Sequence, residues 1–136
     1  METKRQVIKY RDNCEQLRFT VIGISSHEND YRLSWNMNEE LGLAFVRNND
    51  NIKTSDEMEF ACFLNQNDDQ RLMLISNRCD NGFLIKKHKN LDFFLTFDEE
   101  LSDEETNEWL KKLRKTSLIA AAFTIQPDKN IMQLLE

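Results

Sequence analysis

Leu91-Asp92-Phe93-Phe94-Leu95-Thr96-Phe97, followed by Ser102-Asp103-Glu104-Glu105 and then by Leu118-Ile119-Ala120-Ala121-Ala122-Phe123-Thr124-Ile125, is the stretch whose reading decides the fold. In its first part Leu91, Phe93, Leu95 and Phe97 alternate with Asp92, Phe94 and Thr96. Alternation marks a strand, and two largely apolar faces mark a central rather than an edge position. Ser102 with Glu105 three residues later is a capping box, and three acids sit where the positive end of a helix dipole favours them. Trp109, Leu110 and Leu113 form the apolar stripe of that helix, while Lys111, Lys112, Arg114 and Lys115 load its other end with positive charge. Leu118 to Ile125 then reads as a strand, which Pro127 ends.

A second strand-helix-strand unit lies upstream. Leu17 to Ile24 is rich in β-formers. Ser25 and Glu28 have capping-box spacing, and the pattern is helical from there to Leu41. At 100° per residue, Tyr31, Leu33, Trp35, Met37 and Leu41 fall within an arc of roughly 200°, with Arg32, Asn36, Glu39 and Glu40 on the opposite side. Gly42 stands where a helix end favours positive φ, and Leu43 to Val46 reads as the next strand.

Between the two units the polar run 48–56 reads as a loop, followed by a β-meander. Glu57 to Leu64 places Met58, Phe60, Cys62 and Leu64 on one face; Arg71 to Asn77 is its reverse partner. Asn81-Gly82 is a hairpin signal returning the chain into Phe83-Leu84-Ile85. The expected fold is α+β: a mostly antiparallel sheet of about six or seven strands with two helices packed on one face. A ferredoxin-like frame with an inserted meander is one arrangement that fits. Residues 1–136 suit a single domain, with the tail 127–136 docked on the body or on a partner.

Composition narrows the functional classes. The 136 residues are 40% hydrophobic and 31% charged, an ordinary globular balance. The net charge of -6, from 18 basic and 24 acidic residues, disfavours a phosphate backbone as partner. No apolar run approaches the roughly 20 residues that span a bilayer, and the first residues lack a signal-type apolar segment, so the expected setting is the cytoplasm with no membrane partner. Cys14, Cys62 and Cys79 are odd in number and widely spaced, which suits structural thiols better than disulfides.

The stretch Leu84-Ile85-Lys86-Lys87-His88-Lys89-Asn90-Leu91-Asp92-Phe93-Phe94-Leu95 carries a resemblance. Ile85 and Asp92 match the signature of the IPExxxVDY family, small bacterial proteins mostly seen in Bacteroidetes. Leu91 and Phe93 stand where Val and Tyr are usual; Lys86 and Lys87 stand where the family has Pro and Glu. Ile22-Gly23-Ile24-Ser25-Ser26 with Asp30-Tyr31-Arg32-Leu33, Leu74-Ile75-Ser76-Asn77, and Ala121-Ala122-Phe123-Thr124-Ile125 are similar to family segments in the same order. The resemblance covers roughly residues 17–130 and brings a family without an activity. Any acid-base or ligand work done by the family's Glu is closed to this chain at Lys87.

The candidate chemistry is sparse. Ser25, Ser26 and His27 are chain neighbours at a helix start, where capping rather than nucleophilic catalysis is expected. His88 is embedded in lysines, and two histidines offer no multi-histidine metal site. The acids between Asp98 and Glu105 lack the spacing and central glycine of a calcium loop. Asp92 is the carboxylate of interest: in an apolar setting it needs an arginine or backbone N–H partner, or else it faces a ligand. Arg32 is the candidate ion partner, and Asp92, Arg32, Lys86 and Lys87 are the candidate ligand- or partner-contacting residues. No catalytic residue, metal or cofactor is expected.

The leading expectation is therefore a non-catalytic protein-interaction or regulatory binding module, with a protein partner or a homodimer assembled through the sheet edge or the tail. The alternative is a small-molecule-sensing ferredoxin-like (ACT-like) domain. A Mg-dependent enzyme using the acidic run is the weaker alternative.

Overall fold

The computed structural model describes residues 20–54, 57–67, 71–80 and 82–126. Runs of β-branched and aromatic residues form the strands β1 (Thr20–Ser25), β2 (Phe45–Arg47), β3 (Ile52–Lys53), β4 (Glu59–Phe60), β5 (Cys62–Asn65), β6 (Leu72–Ser76), β7 (Arg78–Cys79), β8 (Gly82–Phe83), β9 (Phe93–Phe97) and β10 (Ala121–Ile125). The helices are α1 (Asp30–Leu41) and α2 (Asp103–Lys115), and a 3-10 turn spans Lys86–His88. The main sheet is six-stranded in the order β10-β1-β9-β6-β5-β2, and every neighbouring pair is antiparallel. β9 is central, as its two apolar faces require, pairing Phe93 with Ile24 on one side and with Ser76 on the other. With the β5–β6 hairpin set aside, the remaining order β10-β1-β9-β2 consists of two interleaved strand-helix-strand units.

Both helices lie on one face of this sheet. Leu33 and Met37 of α1 and Trp109, Leu110 and Leu113 of α2 share a single buried cluster with Ile22, Ile24, Leu74, Phe93, Leu95 and Phe97. Fully burying each such side chain contributes roughly 1.5–3 kcal/mol by transfer from water. The opposite face is smaller: Val21 and Phe94 pack under Ile85 and Leu91, so the signature-like segment itself is the lid of the second core. Gly23 makes that lid possible, since a Cβ there would overlap Leu91 Cδ1 and come within 2.5 Å of Ile125 Cδ1.

The local signals in α2 are all in place: the Ser102–Glu105 capping box, the buried stripe and the basic last turn. Gly42 ends α1 with φ +69°, its N–H donating to Asn38 O.

Elsewhere the structure corrects the sequence reading. α1 begins at Asp30 with Asn29 as N-cap, whose Oδ1 accepts from Arg32 N–H at 2.8 Å, because Ser25 belongs to the sheet and pairs with Ala121. The apolar arc of α1 is only partly buried: Tyr31 and Trp35 are 64% and 63% exposed, whereas Asn36, assigned to the polar side, is 5% exposed. The 48–56 loop contains β3, which pairs with β4. The continuous strand expected over 57–64 is divided at Ala61 into β4 and β5; Phe63, opposite Leu74, faces the helices while Cys62, opposite Ile75, faces away. The 127–136 tail, Cys14, the first residues of the Leu17–Ile24 strand and Asn81 of the hairpin signal lie outside the described residues.

Asn36 is buried because it joins a latch between α1 and the turn after α2. Its Nδ2 donates to Glu40 Oε2 at 2.7 Å and to Ser117 Oγ at 3.1 Å, while Ser117 donates to Glu40 from both Oγ (2.6 Å) and N–H (3.1 Å). The Ser117 hydroxyl, the Asn36 amide and the Ser117 N–H hold the Glu40 carboxyl below its usual range. A depressed carboxyl pKa contributes stability above the unfolded-state value and loses it as pH falls through the folded-state value. Wild type is accordingly expected to exceed Glu40→Gln in urea midpoint at neutral pH, and the two midpoints to converge in acid. A gap that stays constant with pH would contradict the latch.

Candidate functional site

The signature-like segment is held by one residue. Asn77 follows β6 and is fully buried. Its Nδ2 donates to His88 O (3.0 Å) and Leu91 O (2.9 Å), and its Oδ1 accepts from Ile85 N–H (2.8 Å). Its backbone N–H donates to Asp92 O and its carbonyl accepts from Leu84 N–H, both at 2.9 Å. One asparagine thus satisfies both ends of the 84–92 segment, which a loop over an apolar face requires, since buried peptide groups left unpaired are costly.

Asp92 lies one residue before β9 and is 8% exposed. Its backbone N–H donates to Ile24 O at 2.8 Å, fixing it against the end of β1. One carboxylate oxygen, Oδ2, accepts from Ser26 N–H at 2.8 Å and, at 3.5 Å, from Ser25 Oγ. The other, Oδ1, takes Arg78 Nη2 at 2.5 Å. Arg78, on β7, is more than half exposed and lies over the Phe83 ring at 5.5 Å. Asp92 therefore ties together the end of β1, the β7–β8 hairpin and the start of β9. The reading of Asp92 as a paired carboxylate holds, with Arg78 in place of Arg32.

This tie forms one wall of an open cleft of roughly 340 Å³ at the strand ends. The turn from Ser26 to Asn29 and the first residue of α1, Asp30, form the opposite wall; Ser76 and Phe93 also line it. Most polar groups here are already committed. Ser26 Oγ donates to Leu118 O and accepts from Glu28 N–H, Ser76 Oγ donates to Arg78 O, and Asp30 Oδ1 accepts from Tyr31 N–H.

Of the four expected contact residues, only Asp92 lines the cleft. Arg32 pairs with Glu28 at 2.9 Å, one helical turn away. Lys86 and Lys87 sit on the exposed 3-10 turn of the segment that Asn77 holds. The residues that the sequence reading does not single out are Arg78 and Asn77, while His27, considered there only at a helix start, also lines the cleft. Arg78 and Asn77 act through chain-distant contacts, which no local pattern signals. Among the described residues no group of three or more His, Cys, Asp or Glu comes together as metal ligands. No helix among them is long and apolar enough to cross a membrane. Cys62 is buried, and desolvation pushes its thiol above the ordinary range.

Compared with known protein families and with curated proteins, the chain matches no family model and no curated sequence.

Proposed function

We propose that this protein is a non-catalytic binding module of the IPExxxVDY kind, acting in the cytoplasm through contact with a protein partner or a second copy of itself, and not with nucleic acid. The observation that carries the reading is the outer side of α1, where Tyr31 and Trp35 stand one turn apart and mostly in water. Exposed large aromatics on a rigid helix are the residue types that dominate protein interfaces. Both sheet edges are partly closed by side chains from the helices, which favours α1 over edge pairing as the contact surface. Asn38 grips both backbone groups of Phe45, accepting from its N–H at 2.7 Å and donating to its carbonyl at 3.2 Å. Arg114 donates to Ala122 O from Nε and Nη2. The engagement of both Asp92 oxygens supports a structural carboxylate over an acid-base one.

Trp35→Ala is expected to keep the wild-type urea midpoint, because the ring is largely solvated, and to lose the association that sedimentation is expected to show for wild type. A metabolite turnover that Asp92→Asn abolishes would overturn the proposal.

A second reading, small-molecule sensing by a ferredoxin-like frame, is favoured by the cleft at the strand ends and by the β10-β1-β9-β2 order that remains when the hairpin is set aside.

A further inference from the structure

The groups left available in the Asp92 cleft differ in kind from those already used. Arg78 binds Asp92 through Nη2 and keeps more than half of its side chain in solvent at the cleft edge, so further N–H donors face outward. The His27 imidazole also lines the cleft and has no partner among the described residues. Across the cleft, Glu28 and Asp30 each keep one carboxylate oxygen beyond the contacts already described. The lining residues Glu28, Asp30 and Asp92 against Arg78 leave an excess of negative charge, which repels a simple anion. A simple cation would leave the Arg78 donors unmet. A ligand with both an anionic and a cationic end meets both demands.

We infer that this cleft binds a small zwitterion of the α-amino-acid type, its carboxylate on Arg78 and His27 and its ammonium on Asp30 and Glu28. The fork of the guanidinium suits a carboxylate, and the cleft volume suits a free amino acid. This rests on the small-molecule reading of the cleft and is independent of the α1 surface.

The test is calorimetric titration of the full chain with single standard amino acids, their amides, which lack the carboxylate, and their N-acetyl forms, which lack the ammonium. At least one free amino acid is expected to bind, with its amide and its N-acetyl form at least about tenfold weaker, since each loses a charge-assisted set of hydrogen bonds. Amide chemical shifts of His27, Ser76 and Arg78 should move on binding. Arg78→Gln should abolish binding; Asp30→Asn, at an exposed helix start, should weaken the free amino acid without weakening its N-acetyl form. Equal binding of free and N-acetyl forms, shifts confined to residues outside the cleft, or no binding by any amino acid would each overturn the inference. If other metabolites then bind in the cleft, the small-molecule reading stands without it; if none does, that reading falls too.

Discussion

Asn77→Ala is expected to lower the unfolding free energy by about 4 kcal/mol and to release the 84–91 segment from the sheet. The substitution removes one acceptor and two donor contacts at once. It strands the Ile85 N–H and the Leu91 carbonyl in a site with no exposure at the asparagine, and leaves the His88 carbonyl with the Leu91 N–H alone. Each buried polar group left unpaired costs roughly 1–3 kcal/mol. Hydrogen exchange at Ile85 is the direct readout: its amide should be protected in wild type and exchange freely in the variant. Asn77→Asp should fail in the same way, because a carboxylate cannot donate to the His88 and Leu91 carbonyls. A variant within about 1 kcal/mol of wild type would show that the segment is held by its apolar contacts alone.

Gly23→Val should cost about 3 kcal/mol, from overpacking rather than from backbone strain. The new side chain enters the space taken by Leu91 Cδ1 and Ile125 Cδ1. The Leu91 backbone is held by its N–H to His88 O and its carbonyl to Asn77, so its side chain can yield only by rotating within the packed cluster of Val21, Ile85 and Phe94. Accommodation therefore requires Leu91 and Ile125 to leave their packed rotamers, and urea denaturation should show the loss. Combining Gly23→Ala with Leu91→Ala should recover part of it, because the shortened Leu91 vacates the position the added methyl occupies.

What the sequence made legible follows the range of the interactions. The Ser102–Glu105 box closes within one turn, so its residues read directly as a helix start. β9 reads as central because its own composition is apolar on both faces. The sequence reading of a cap at Ser25 fails for a tertiary reason: Ser25 is drawn into the ladder with Ala121, and the cap falls to Asn29. Trp35 and Tyr31 look like core by hydrophobicity, but α1 buries its Leu33–Met37 side and leaves theirs in water. Alternation groups Cys62 with Leu64 but does not say which face the helices cover, and it is Phe63, with Ala61, that faces them. At the site, Asp92 was recognisable as a carboxylate in need of a partner, yet nothing local distinguishes Arg78 from Arg32. The hairpin of β7 and β8 brings one close, and the helical turn to Glu28 occupies the other.

On the proposed reading Asp92 is committed to holding the strand ends and does not serve as a reacting group. Residues shaped for chemistry are commonly neutral or stabilising when removed, whereas a structural tie weakens the fold when cut. The measurement that separates these is the unfolding free energy of Asp92→Ala in urea at neutral pH. Loss of the Asp92 acceptor leaves the Ser26 N–H unpaired and takes the ion partner from Arg78, whose exposure limits its share. A decrease of about 2 kcal/mol with an unchanged denaturant slope is expected. A variant as stable as wild type, or more stable, would contradict it.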